Sequence, residues 1–470
     1  MKFKSDVVIG LEIHVELDTN TKLFCGCRTS GNDKPNTRVC PICLGHPGAR
    51  PVLNKKALDY AIKLCLATDS TLTPEVIFSR KSYFYPDMPK NFQISQYEEP
   101  LSVGGAIELE SGKKINLTRI HIEEDPASIT YPKSAKNSDY SLIDYNRSGN
   151  PLVEIVTEPE LTTPDEAREF LNKLISVLNY LKIFDMKSGI IKADANISIK
   201  GSGYRRVEVK NITGFKEIER ALEYELERQK ELVKEGTEIV IETRGWDAKD
   251  RETYSLRKKE TEEGYGYIIE PDLVKIDVNE ELIGILKKEI PELAHKKAKR
   301  FIKEYKIDKV DAKVMAMELE LGELFEKVVK EIDPILAGRW LRRELLRVLN
   351  YNKKTLQDIK IDESHIIELL SLIETKTITE ATGKKLIEML IDKPFSPKDY
   401  VEKNELAQIT SEIELEDICK KIVSQNEKAV EDYKGGEEKS FNFLVGMVMR
   451  ETKGKANPVI VKDAMKRILS

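Results

Sequence analysis

Gly10-Leu11-Glu12-Ile13-His14-Val15-Glu16-Leu17 decides the architecture of the first half of this chain. In a β-strand successive side chains point to opposite faces. Leu11, Ile13, Val15 and Leu17 therefore share one face, and Glu12, His14 and Glu16 the other. An ordinary half-buried strand accounts for the alternation, but not for two acids that bracket a histidine. Groups at i and i+2 lie about 7 Å apart along a strand, a spacing at which carboxylate and imidazole can be offered together to a divalent ion.

The pattern recurs. Asp194, Asn196 and Ser198 alternate with Ala195, Ile197 and Ile199, and Glu208 and Lys210 alternate with Val207 and Val209. His121-Ile122-Glu123-Glu124-Asp125 puts three acids directly after an expected strand, 114–122. Closely grouped carboxylates repel one another unless a cation neutralises them. Mg²⁺ does so with a few carboxylates while leaving room for phosphate oxygens and water. The alternative is a solvated strand face, the default for antiparallel sheets, and spacing alone does not bring the strands to one point. The chain has no G-x-x-x-x-G-K-[ST] and no G-x-G-x-x-G, since Gly201-Ser202-Gly203 and Gly264-Tyr265-Gly266 lack the third glycine. A bound nucleotide would have to be held by carboxylate-borne metal with Lys and Arg close by.

Cys25-Gly26-Cys27 and Cys40-Pro41-Ile42-Cys43 form a C-x-C and a C-x-x-C. Each pair places two thiolates within reach of a tetrahedral centre, and four fill the coordination sphere. Structural zinc pinning the loop 23–48 is the expectation. Redox or iron–sulfur use and unliganded thiols are the alternatives. Cys65 and Cys419 stand alone and are expected as small buried apolar residues.

At 470 residues the chain is too long for one compact core. Its net charge of −5 argues against a surface that coats nucleic acid generally, though not against a local basic patch. No stretch of about 18 apolar residues supports a membrane span. The first residues lack the apolar run of a signal peptide, so a cytoplasmic protein is expected. Residues 1–290 read as a strand-rich α+β body with helices at 164–181 and 217–234. Residues 291–398 read as a helical connector, and 399–470, beyond Lys393-Pro394-Phe395-Ser396-Pro397, as a small helical tail. From Phe441 on, Arg450, Lys453, Lys455, Lys462, Lys466 and Arg467 outnumber Glu451 and Asp463. Lys453-Gly454-Lys455 reads as a basic loop that gains affinity for RNA phosphates by counterion release, the alternative being a solvated helix end.

Several motifs carry a resemblance. Val8–Leu17, Lys81–Gln96 (KSYFYPDMPKNFQISQ), Arg119–Asp125, Asp144–Val156 (DYNRSGNPLVEIV), Asp194–Ser198, Phe443–Gly446 and Lys453–Pro458 resemble, in order and over essentially the whole chain, the B subunits of the glutamyl/aspartyl-tRNA amidotransferases. The resemblance implies an antiparallel-sheet cradle related to glutamine synthetase, followed by an all-α connector and tail that bind tRNA. It implies ATP-dependent phosphorylation of the side-chain carboxylate of glutamyl-tRNA(Gln) or aspartyl-tRNA(Asn), and amidation of that carboxylate with ammonia. It also implies an amidase-type A subunit and a small C subunit as partners, consistent with the lack of a glutaminase pattern here. Some members carry the four-cysteine zinc site. Where many members have an acidic, aromatic-rich run before Glu270-Pro271-Asp272, this chain has residues 264–269, GYGYII.

On this reading Glu12, His14, Glu124 and Asp194 are the expected Mg²⁺ groups, with Glu123 and Glu208 close by. His14 as a core histidine is the alternative. Lys81, Lys90, Arg147 and Lys210 are candidates for phosphate charge, or else salt-bridge partners. Tyr83, Tyr85 and Gln96 are candidates to shape the pocket, core packing being the alternative for the tyrosines. A non-catalytic tRNA scaffold and a metal-dependent hydrolase are the rival functional readings. The paralogous two-subunit glutamyl-tRNA enzyme would need an inserted domain for which the chain has no room.

Overall fold

The structure is a computed structural model that describes residues 3, 5–132, 138–185, 187, 189–258, 266–409, 412–452 and 454–469. It divides into two compact units, Met1–Leu293 and Ala294–Ser470.

The first unit is built on a ten-stranded sheet. Its strands are β1 (Val7–Glu16), β2 (Thr71–Leu72), β3 (Ser102–Val103), β4 (Ala106–Glu108), β5 (Lys114–Glu124), β6 (Pro151–Thr157), β7 (Ile191–Ile199), β8 (Val207–Thr213), β9 (Glu242–Asp247) and β10 (Glu252–Lys258). Their order across the sheet is β10-β9-β8-β7-β1-β6-β5-β3-β2, with β4 also on β5. Every pairing is antiparallel except β8 with β9. The strand around His14 is thus central, flanked by β7 and β6.

One face of the sheet carries the core. Ile9, Leu11, Ile13 and Val15 of β1 join Ala193, Ala195 and Ile197 of β7, Val153 and Ile155 of β6, and Ile120 and Ile122 of β5. Three helices supply the other half of that core: α1 (Lys55–Ala67), α2 (Pro164–Leu181) and α3 (Phe215–Lys234). Local chemistry sets the starts of α1 and α2. The Asn54 side chain accepts from the amides of Lys56 and Ala57, and the Thr163 hydroxyl accepts from the amide of Glu166 with Pro164 following. With one face covered by helices, strict alternation leaves the polar residues of β1 and its neighbours on the opposite face.

One expectation is corrected here. Glu123 and Glu124 do not follow a strand but belong to it, since β5 runs on through Glu124 and only Asp125 lies beyond. Neighbouring strand residues face opposite ways, so Glu123 and Glu124 separate.

A three-stranded sheet pairs Ser79–Ser82 with both Phe92–Ser95 and Gly266–Ile269. Gly149 has a φ of +88°, a left-handed conformation that suits glycine. Its amide donates to the Asp125 carbonyl and its own carbonyl accepts from the Leu23 amide, which ties the start of the cysteine loop to the end of β5.

The second unit is helical and holds two separate cores. One gathers residues from Phe301 to Val401, the other from Leu415 to Leu469. In the first, Asp333 caps helix Pro334–Trp340 through the amide of Leu336, and a π-helical turn, Leu341–Leu345, continues that helix. The second consists of helices Glu412–Gln425, Glu427–Lys434, Glu438–Glu451 and Pro458–Leu469. Among the described residues no helix is long and apolar enough to cross a membrane.

Candidate active site

Register brings the polar residues together. His14 lies opposite Lys192 on β7 and opposite Glu154 on β6, and Glu154 in turn lies opposite His121 on β5. Glu12 lies opposite Asp194, and Asn196 opposite Glu208. All are on the face turned away from the helices.

Two groups result. In the first, the Nε2 of His14 is 3.4 Å from Glu123 and 3.5 Å from Glu154, and the Nε2 of His121 is 3.6 Å and 3.1 Å from the same two carboxylates. Glu123, Glu154 and His121 are buried. Burial works against charge on the imidazoles, yet the hydrogen bond and charge of Glu154, with the charge of Glu123, lift His14 to about 9. His121 is likewise lifted to about 9: burial opposes the shift, and Glu154 and Glu123 win. Conversely, burial would raise Glu123 and Glu154, but the two histidines hold both below the usual carboxylate range, Glu154 well below it. Without a metal the group is two imidazolium ions balanced by two carboxylates.

In the second group a carboxylate oxygen from each of Glu12, Asp194 and Glu208 lies within 4.8 Å of the others. The Lys210 ammonium sits among them, 2.6 Å from Asp194 and 2.8 Å from Glu208. Burial opposes its charge, but those two carboxylates raise its pKa. Glu208 is lowered, Lys210 outweighing its burial. Glu12 is raised, first by burial and then by the charge of Glu154. The Asn196 amide donates to Glu12 at 2.9 Å, and its own oxygen is buried without a partner. His14, Glu123 and Glu154 likewise offer ligand atoms within 4.8 Å of one another. Both groups have the hard oxygen donors that Mg²⁺ takes, and the orphaned Asn196 oxygen adds an acceptor beside the second.

The remaining expected residues divide. Arg147 pairs with Asp125, and both lie near Glu16, which accepts from the Asn150 amide at 2.5 Å. Glu124 is not with the others. Its carboxylate takes the Lys90 ammonium at 2.5 Å and the Ile94 amide at 2.8 Å, because alternation sends it to the far side of β5. Lys90 is therefore engaged there too. Gln96 is buried with its side chain spent on backbone: it accepts from Ile122 at 2.9 Å and donates to Ile77 and Glu99. Lys81 lies on the small sheet opposite Gln93 and Tyr267, with Tyr83 just beyond that strand and Tyr85 exposed. In the tail Arg450 is exposed on helix Glu438–Glu451, while Lys455 is half-buried and its carbonyl accepts from the Ile409 amide. Lys453 lies outside the described residues, as do Gly264 and Tyr265 of the departing segment.

Glu154 and His121 were missed as site residues. The signal for Glu154 was present: it is the one acid in an otherwise apolar strand, PLVEIVT.

The four cysteine sulfurs Cys25, Cys27, Cys40 and Cys43 also lie within 4.8 Å of one another, an arrangement that can hold a metal ion. A hydrogen bond from Cys25 lowers Cys43 to about 5. Burial pushes Cys27 up to about 11, and Cys25 rises through its bond to Cys43 and burial. The fully buried Lys22 ammonium stands 3.8 Å from the Cys43 sulfur.

An acid-lined antiparallel sheet of this kind, followed by helical domains, defines a class. A family model described as GatB/GatE catalytic domain matches residues 7–284, and one described as GatB domain matches residues 323–469. The chain is 43% identical over 477 residues to the B subunit of the aspartyl/glutamyl-tRNA(Asn/Gln) amidotransferase of Thermoanaerobacter sp. (strain X514), an alignment covering 99% of this chain and 100% of the relative. It is 42% identical to the proteins of the same name from Carboxydothermus hydrogenoformans and Thermotoga neapolitana, with 98% of both chains covered in each case. The chain belongs to the family of aspartyl/glutamyl-tRNA(Asn/Gln) amidotransferase B subunits.

Proposed function

We propose that this chain uses ATP to activate the side-chain carboxylate of glutamyl-tRNA(Gln) or aspartyl-tRNA(Asn), or of both, for amidation, at the open face around Glu12, His14 and Asp194. The observation that carries this is the pairing of two ligand-bearing groups, Glu12/Asp194/Glu208 and His14/Glu123/Glu154, on adjacent strands of one sheet face.

A carboxylate does not react with ammonia at neutral pH, because its charge repels the nucleophile and oxide is a poor leaving group. Attack of a carboxylate oxygen on the terminal phosphorus of ATP forms a new O–P bond and breaks the bond to ADP, which leaves with the electron pair. Ammonia then attacks the acyl phosphate carbon, phosphate departs, and a proton is lost to leave the amide. The protein's part is to bind, orient and exclude water that would hydrolyse the intermediate. Mg²⁺ held by these carboxylates would neutralise phosphate oxygens. Glu123, Glu154 and His121 orient His14; Lys210 fixes Asp194 and Glu208; Asn196 steadies Glu12.

Zinc is the metal proposed for the four cysteines, since four thiolates close a structural tetrahedral site. Residues 1–290 form the catalytic cradle on this reading, and 291–398 and 399–470 the connector and a tRNA-binding tail with Arg450, Lys453 and Lys455. The ammonia would come from an amidase-type A subunit, with a small C subunit completing the enzyme. Work on charged tRNA with unoxidised thiols fits the cytoplasm.

The test replaces His14 or Asp194 by Ala and measures ATP- and ammonia-dependent conversion of glutamyl-tRNA. Losses of at least a hundredfold are expected, about 3 kcal/mol of transition-state stabilisation. Wild-type rates with free ammonia would remove both residues from the site.

A further inference from the structure

We infer that Lys192 binds the terminal phosphoryl group of the nucleotide, an inference that rests on the function proposed above. Lys192 stands on β7 directly opposite His14 and two residues from Asp194, on the open face, beside a member of each ligand-bearing group. Three other cations near this face are engaged. Lys210 lies between Asp194 and Glu208. Arg147 is paired with Asp125, and Arg119 reaches Glu154 at 3.9 Å. Lys192 is half-buried, with Asp125, Asp194, Glu16 and Arg147 in electrostatic reach. Yet among the described residues no hydrogen bond or ion pair engages its ammonium.

A partly desolvated ammonium without a contact partner is costly. Three carboxylates stand near it and none closes on it, so packing holds it available for an anion that arrives from outside. The face itself is rich in carboxylates, Glu12, Asp194, Glu208, Glu123 and Glu154, so a phosphoryl group approached by an anionic carboxylate needs a cation of its own there. Phosphoryl transfer is catalysed largely by such charge placement. Lys192 is level with His14 and next but one to Asp194, which puts the ammonium beside residues of both ligand-bearing groups.

The test compares the binding of a non-hydrolysable ATP analogue and of ADP to the full chain by calorimetry, in the presence of Mg²⁺. Lys192→Met and Lys192→Gln are expected to weaken the analogue about ten- to a hundredfold, the value of one charged hydrogen bond. ADP binding should be unchanged and Lys192→Arg should restore most of the loss. Unchanged analogue binding, or equal weakening of the analogue and ADP, would overturn the assignment to the terminal phosphate. So would a rise confined to the KM for charged tRNA, which would give Lys192 to the substrate carboxylate instead. Glu12→Gln run alongside separates the two levels of argument. If it leaves ATP turnover intact, the site itself is wrong; if it abolishes turnover while the Lys192 variants bind normally, only Lys192 is misassigned.

Discussion

Glu154 offers the sharpest test of the electrostatics at the open face. Glu154→Gln keeps the shape of the side chain and removes one of the two carboxylates that hold His14 and His121 protonated. Raising each imidazole from 6.5 to about 9 corresponds to roughly 3 kcal/mol per histidine. Glu123 shares that work, so removing one carboxylate of the pair should cost about 3 kcal/mol, within the range for breaking a buried ion pair. The sign follows from linkage. Both histidines have folded pKa values above the unfolded one. Their contribution is therefore fully present below pH 6.5 and is lost as the pH rises through about 9. Glu154 itself is held well below the usual carboxylate range and stays ionised throughout this window. Urea unfolding of wild type and variant, without added divalent cation, should show a stability gap that is widest near pH 6 and closes toward pH 10. A gap that is constant from pH 6 to 10 would refute the picture of two imidazolium ions balanced by two carboxylates. It would reduce Glu154 to a hydrogen-bonding residue of fixed value.

Three further outcomes are expected. Cys43→Ser should reduce bound zinc from about one ion per chain to near zero by elemental analysis, and lower the thermal midpoint of the first unit; full zinc content in the variant would remove Cys43 from the site. Asp362→Ala should destabilise the helical unit by about 1 kcal/mol at neutral pH, since it removes the N-cap of helix Glu363–Glu374. Hydrogen bonds from Ser364 and His365 hold Asp362 at about 2, below its ordinary 3.8, so its contribution is complete above pH 4 and fades as pH falls through 2; denaturation curves that stay equally separated down to pH 2 would contradict this. Removing residues 402–470 should weaken tRNA binding and flatten its dependence on salt, as loss of phosphate contacts requires; an affinity unchanged across a salt titration would count against a tRNA-binding tail.

The face each residue of β1 would occupy was legible from alternation, because the direction of successive side chains is set by the covalent geometry of an extended backbone. The same local chemistry made the cysteine pairs readable, and the helix start at Thr163-Pro164. Which strands would lie side by side was not legible. His14 meets Glu154, and shares it with His121, only because β6 pairs with β1 and β5 with β6, and Glu12 meets Asp194 only because β7 pairs on the other side of β1. Those registers arise from burying one continuous apolar face under three helices, a condition shared by residues far apart along the chain. Glu123 and Glu124 show the division most plainly. The sequence on its own set them next to each other. The extent of β5, which only the folded sheet determines, sent one to the imidazoles and the other to Lys90, since a residue's face has meaning only once the strand that carries it is known to continue that far.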